Sequence, residues 1–233
     1  MTEASDRAKA PVVTLDGPAG SGKSTTAREV ARRLGFRHLD SGGLYRALTL
    51  ALLEQEVPRD DWADLSEERM RALPVRVASG EATFTIEVGG RPVRAELRTP
   101  EVTASVAYLA SLPASRASLL SLQRAAGEQG RLVADGRDMG SVVFPDAQVK
   151  VYLVADLKER ARRRLMERGI VDPSDLEVDG EAVEIAERDR HDSERLLSPL
   201  RKPEGAHLID TTRLSFEAQV DSIVELVQNF GRH

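Results

Sequence analysis

Short apolar runs alternate with amphipathic stretches along the chain, at the spacing of strand–helix units. Val12 to Asp16, after Pro11, is the kind of apolar run that forms a buried parallel strand. Lys23 to Leu34 carries Ala27, Val30, Ala31 and Leu34 at helical spacing, with Gly35 as its stop. Phe36 to Leu39 predicts a second strand, and Gly43 to Glu54 a second helix. Leu132 to Ala134, ending at Asp135, and Val149 to Val154 predict further buried strands. Helical patterning spans Pro100 to Ala126. Asp156 caps a helix running to Arg168, which Gly169 ends. A polar loop is predicted from Gly169 to Gly180, around Pro173, then a helix from Glu181 to Arg190. His207 to Asp210 predicts a last strand. Ser215 caps a final helix bearing Phe216, Val220, Ile223, Val224 and Val227.

One stretch departs from this rhythm. From Pro74 to Arg94, β-type residues (Val75, Val77, Thr83, Thr85, Ile86, Val88, Val93) are punctuated by Gly80, Gly89, Gly90 and Pro92. That predicts a small three-stranded antiparallel meander, inserted into an otherwise βα chain. The whole predicts an α/β protein with a central parallel sheet, right-handed crossovers and a ligand site at the carboxyl ends of the strands.

Bulk properties narrow the classes. A chain of 233 residues suits one domain with an insertion. No apolar run approaches the ~20 residues that span a bilayer, so no membrane partner is expected. Residues 1–10 are polar and mixed in charge, and read as a flexible tail without a signal peptide. The chain has no cysteine, which excludes disulfides and thiolate metal sites and points to the cytoplasm. A net charge of −5 argues against nucleic acid as a partner. Nothing demands more than a monomer. Of 33 basic residues only five are lysines, leaving 28 arginines, the residue suited to bidentate phosphate contacts.

The strongest local signal is Gly17-Pro18-Ala19-Gly20-Ser21-Gly22-Lys23-Ser24, followed by Thr25. It matches the phosphate-loop pattern, with a predicted strand before it and a helix after it. Glycines let the backbone N–H groups converge on phosphate oxygens, and the helix start adds partial positive charge. Lys23 is expected on the β- and γ-phosphates of ATP, and Ser24 on Mg²⁺. Motors, GTPases and small-molecule kinases share this loop. No guanine-reading N-K-x-D segment is present, and polar clusters follow the other predicted strands. Asp135 ends a strand as a magnesium-holding carboxylate does, although it also fits a helix-capping role.

These clusters carry a resemblance. GPAGSGKS (17–24), DSGGLYRA (40–47), the meander followed by ELRTPEV (96–102), ADGRDMGSVVFPDA (134–147) and ERDRHDSER (187–195) are similar to segments of the bacterial cytidylate kinases, within the nucleoside monophosphate kinases. The resemblance runs from Val12 to Phe230. It implies a three-layer P-loop kinase fold, with an inserted monophosphate-binding subdomain at about 74–100 and a short lid at about 160–190. It implies transfer of the γ-phosphoryl group of ATP to CMP or dCMP, with Mg²⁺. It places Ser41, Arg46, Arg116, Arg137, Asp138, Arg188, Asp192 and Arg195 around the acceptor nucleotide, with Asp138 reading the cytosine amine. Lys23 and Arg137 would serve the transferring group. One of Arg160, Arg163 and Arg164 is expected on the ATP phosphates, with Arg164 taken first. Members of the family often carry a base-contacting serine near position 107, where this chain has Ala107, with Ser105 two residues away. A same-fold kinase for UMP, AMP or another metabolite, or a nucleotide-gated binding module, remains an alternative.

Overall fold

The computed structural model describes residues 10–80 and 84–230. The predicted tail up to residue 9 and the predicted β-type Thr83 lie outside the described residues. Ala10 itself is tied down, because its carbonyl accepts from the Arg131 N–H at 3.3 Å.

Five parallel strands form the central sheet: β1 (Val12–Asp16), β2 (Arg37–Asp40), β6 (Leu132–Gly136), β7 (Val149–Val154) and β8 (His207–Asp210), in the spatial order β2-β6-β1-β7-β8. Register aligns their carboxyl ends. Leu15 and Asp40 both lie opposite Asp135, and Asp16 lies between Gly136 and Tyr152. Three further strands, β3 (Val75–Ser79), β4 (Phe84–Val88) and β5 (Arg91–Pro92), make the predicted antiparallel meander. The Arg37 guanidinium, at the start of β2, sits 5.1 Å from the centre of the Phe84 ring and joins the two sheets.

Pleat alternation sorts the core into two faces. Leu132 and Ala134 point to one side. They pack with α2 (Ser41–Glu54), α4 (Pro100–Leu109) and α5 (Pro113–Gly127), and the short α3 (Glu67–Arg71) adds Met70. Val133, Val13 and Leu15 point to the other side, against α1 (Lys23–Leu34) and α8 (Phe216–Phe230). The result is three layers. A third, smaller cluster joins α6 (Leu157–Glu167) to α7 (Asp175–Glu194) and includes Ala19 of the phosphate loop. Among the described residues no helix is long and apolar enough to cross a membrane.

Several boundaries differ from the sequence reading, for identifiable reasons. α2 starts at Ser41 and not Gly43, because the Asp40 side chain accepts from the Gly43 N–H at 2.8 Å and caps the helix earlier. The helical run from Pro100 to Ala126 is two helices, each opened by a proline at its first turn. The largest correction concerns the polar loop. Residues 175–180 are helical, and α7 begins after Ser174. Ser174 and Glu177 form a reciprocal capping box, so only the stretch from Gly169 to Ser174 links α6 and α7. Residues 59–71 hold a short 3₁₀ stretch and α3, neither expected from the sequence. They exist to bury Trp62, which is 0% exposed, stacks on Tyr108 at 6.3 Å and donates from Nε1 to the Val57 carbonyl. Emptying that site would cost about 3–5 kcal/mol.

Candidate active site

The phosphate loop joins β1 to α1 by a backbone that only glycine permits at its tightest points. Gly17 has φ of +151°, and a Cβ there would stand 2.1 Å from the Leu153 carbonyl oxygen. Gly20 and Gly22 have φ of +72° and +83°. Lys23 Nζ turns back to donate to the Pro18 carbonyl at 2.7 Å. Ser24 Oγ donates to Asp135 Oδ2 at 2.5 Å, and His38 Nε2 meets the other oxygen of that carboxylate at 2.7 Å.

A cleft of about 1210 Å³ opens where β1, β2 and β6 end. Ala19, Gly20, Lys23 and Ser24 line it. So do Ser41, Arg46, Arg116, Asp135, Arg137, Asp138, Arg164, Arg188, Asp192 and Arg195, drawn from five different segments. Gly17, Pro18, Ser21, Gly22 and Thr25 do not. They shape the loop from behind, and Thr25 is exposed. Of the three arginines on α6 expected near ATP, Arg160, Arg163 and Arg164, only Arg164 lines the cleft, ion-paired with Glu181 at 2.9 Å. Arg163 is spent on Glu159 and on Thr211. Arg160 is buried beneath the phosphate loop and donates to the Ala19 carbonyl at 2.9 Å. On α4, Ala107 lines the cleft while Ser105 is buried and off its wall.

Apart from Arg188, the acceptor-side residues are braced by other protein groups. Ser41 Oγ accepts from Gln123 Nε2 at 2.9 Å. Arg46 Nη1 donates to the Leu97 carbonyl and Thr103 Oγ1, both at 3.0 Å. Arg116 pairs with Asp138, and its guanidinium lies over the Tyr45 ring. Arg137 Nε donates to Asp192 Oδ2 at 2.8 Å, and Arg195 lies 3.6 Å from the other Asp192 oxygen. Behind them, Asp16 Oδ1 and Oδ2 accept from the Met139 and Gly140 N–H groups at 2.8 and 2.7 Å, which pins the 134–147 block to the end of β1.

Electrostatically the cleft is short of anions. Burial pushes the Lys23 ammonium well below the usual lysine range, with Arg137 adding to that push and Asp135 opposing it. Burial, then Arg137, brings Arg188 down to about 10, and its Nε has no hydrogen-bond partner among the described residues. Burial opposes ionisation of Asp192, but Arg137 and Arg195 hold it below the usual carboxylate range. Asp135 is likewise low despite burial, because His38, Ser24 and Lys23 favour its charged form. Its neighbour Asp40 is raised, by burial first and by Asp135 second. Clustered cations left without counter-charges fit a site that binds phosphates.

Sequence reasoning missed several participants. Asp16 read only as the end of a strand, and His38 as a strand interior. Gln123 had no signal, because a buried amide on a helix looks like any polar position. Arg98 and Thr103 also line the cleft; Arg98 lies within the quoted 96–102 segment and Thr103 directly follows it, but neither carried an assigned role. Asp189 lies within the quoted 187–195 segment but carried no assigned role.

Comparison with known proteins agrees with this geometry. The cytidylate kinase family model matches residues 13–229. A cytidylate kinase from Exiguobacterium sibiricum is 42% identical over 216 residues, covering 93% of this chain and 96% of that protein. One from Geobacillus sp. is 43% identical over 218 residues, covering 92% and 95%. The crystal structure of an uncharacterized protein from Eubacterium ventriosum aligns over 94% of this chain and 98% of that one, with a TM-score of 0.50 and 11% identity, a likeness of fold alone. With its phosphate loop, its arginine-lined cleft and a family match spanning nearly its whole length, the chain belongs to the cytidylate kinase family.

Proposed function

We propose that the protein transfers the γ-phosphoryl group of ATP to CMP, and to dCMP, giving ADP with CDP or dCDP. Arg188 carries this reading. It is a half-buried cation whose buried Nε has no hydrogen-bond partner among the described residues, set among Arg137, Arg46 and Arg164 and opening into the same cleft as the phosphate loop. A charge crowded by other cations in this way is costly until an anion enters beside it.

On this reading the loop from Gly17 to Thr25 wraps the donor phosphates, and Lys23 leaves the Pro18 carbonyl for the β- and γ-phosphates. Arg46, Arg188 and Arg195 receive the acceptor phosphate, with Ser41 beside it. Asp138 accepts from the cytosine amine, and Arg116 orients Asp138. Asp192 keeps Arg137 and Arg195 aimed. Arg137 and Arg164 offset charge on the phosphoryl group in flight.

The acceptor phosphate is already a nucleophile near neutral pH, so no general base is needed. Its oxygen attacks the γ-phosphorus as the bond to the β–γ bridging oxygen breaks, and the charge leaves on ADP. Ser24 and Asp135 present adjacent hard-oxygen donors, a pair that fits Mg²⁺ and would hold it. Bound there with ATP, the ion would neutralise charge on the β- and γ-oxygens. The insert at about 74–100 folds over the acceptor and the lid at about 160–190 over ATP, excluding water. The working form is a monomer in the cytoplasm.

An acceptor panel tests the assignment. ADP formation from Mg²⁺-ATP should rise with CMP and dCMP far more than with UMP or AMP. Preference for UMP or AMP would reassign the substrate, and no stimulation by any monophosphate would make the chain a nucleotide-gated binding module.

A further inference from the structure

Ala19 is held on every side by the α6–α7 hairpin. Its N–H donates to Asp189 Oδ1 at 2.8 Å, and its carbonyl accepts from Arg160 Nη1 at 2.9 Å. Arg160 and Asp189 are themselves ion-paired, so one acid–base pair grips both polar groups of a single loop residue. Arg160 Nε donates in turn to the Ala155 carbonyl at 3.1 Å, which anchors the pair at the end of β7. The Ala19 methyl group packs into the apolar cluster of Ala161, Leu165, Val178, Ala182 and Ile185. Next to it, a Cβ on Gly20 would come within 3.0 Å of the Arg160 carbonyl oxygen, so α6 abuts the loop directly.

We propose that Asp189 and Arg160 are positioning residues for the donor nucleotide, clamping the Ala19 peptide groups so that the rest of the phosphate loop is preset in the shape that receives ATP. The inference rests on the kinase reading above. A phosphate loop works by aiming several N–H groups at one anion. Its glycines make it pliable, so something outside the loop must hold its shape. The clamp does so at the residue before the tightest turn. It also ties the base of the α6–α7 hairpin to the loop. Asp189 further supports the charge on Lys23. One turn later on α7, Asp192 braces Arg137 and Arg195 on the acceptor side. The end of α7 thus serves the two substrates through separate carboxylates, and the two are separable by mutation.

The test uses Asp189→Asn, which keeps size and one acceptor oxygen but removes the charge, with Asp192→Asn as the acceptor-side control. ATP affinity is measured by calorimetry without any monophosphate, and KM is measured for both substrates. Asp189→Asn should weaken ATP binding about tenfold, in the range expected for a charged hydrogen bond, while KM for CMP moves less than about twofold. Asp192→Asn should show the reverse. Arg160→Gln should resemble Asp189→Asn, and the double variant should lose less than the product of the single losses. Unchanged ATP affinity in Asp189→Asn, or equal changes in both KM values, overturns the clamp. A wild type that binds ATP tightly but phosphorylates no monophosphate would overturn the kinase reading while leaving the calorimetric test of the clamp intact. Should Asp189→Asn fail to fold, the tests fall to Arg160→Lys, which keeps the charge but not the two-pronged grip. It should weaken ATP binding, and wild-type affinity would overturn the clamp.

Discussion

Lys23 Nζ donates to the Pro18 carbonyl at 2.7 Å, so the cation of the phosphate loop is held by the loop itself. That hydrogen bond can be exchanged for phosphate oxygens. Lys23→Ala should lower kcat by roughly 10²–10³-fold or more, as loss of a charge-stabilising group does. The melting temperature should stay within a few degrees. Undiminished activity would remove Lys23 from the mechanism.

Asp138 is buried and paired with Arg116 over the Tyr45 ring. Truncation to alanine would strand the arginine, so Asp138→Asn is the cleaner change. An amide presents a donor that suits the uracil carbonyl. The ratio of kcat/KM for CMP over UMP should fall by about ten- to a hundredfold. A ratio left as it was would take Asp138 away from the base.

Arg188 has no ion-pair partner within hydrogen-bond reach among the described residues, and its Nε is unsatisfied. Arg188→Gln therefore breaks nothing internal. We expect kcat/KM for CMP to drop about a hundredfold while thermal stability holds or rises by about 1 kcal/mol, because the change relieves repulsion from Arg137, Arg46 and Arg164. Marked destabilisation would mean that Arg188 is structural.

Burial raises the Asp16 carboxyl to about 7, although the Gly140 and Met139 N–H groups oppose the shift. The folded chain thus keeps a proton that the unfolded chain gives up near 3.8. Stability from this group is complete below 3.8 and is lost as pH rises to about 7. At ~1.4 kcal/mol per unit, the loss is on the order of a few kcal/mol. Asparagine does not ionise. Urea midpoints of Asp16→Asn should therefore fall less between acid and neutral pH than those of the wild type. Parallel declines would refute the assignment.

How legible the molecule was depended on how local each signal is. β1, α1 and β7 were readable to the residue, because an apolar run or a single glycine stop decides them. The phosphate loop was equally plain, since its glycines answer a backbone need. Residues 175–180 were misread through composition. Their polarity hid the Ser174–Glu177 capping box, which is itself a sequence signature. Trp62 pulled residues 59–71 into order through a tertiary contact with Tyr108 that no local pattern announces. In the site, the arginines were found through the resemblance. Asp16, Gln123, His38 and Asp189 escaped because each acts on another protein group and not on an expected ligand. Their meaning lies in partners 82 to 170 residues away.

The first glycine of the loop has a neighbour of an unusual sort. What crowds Gly17 is the main-chain oxygen of Leu153, an atom that every amino acid carries. No second-site change at position 153 can make room, since swapping its side chain leaves that oxygen in place. A selection for suppressors of Gly17→Ala should therefore return true revertants, or shifts of the whole β7 strand, but no compensating partner at 153.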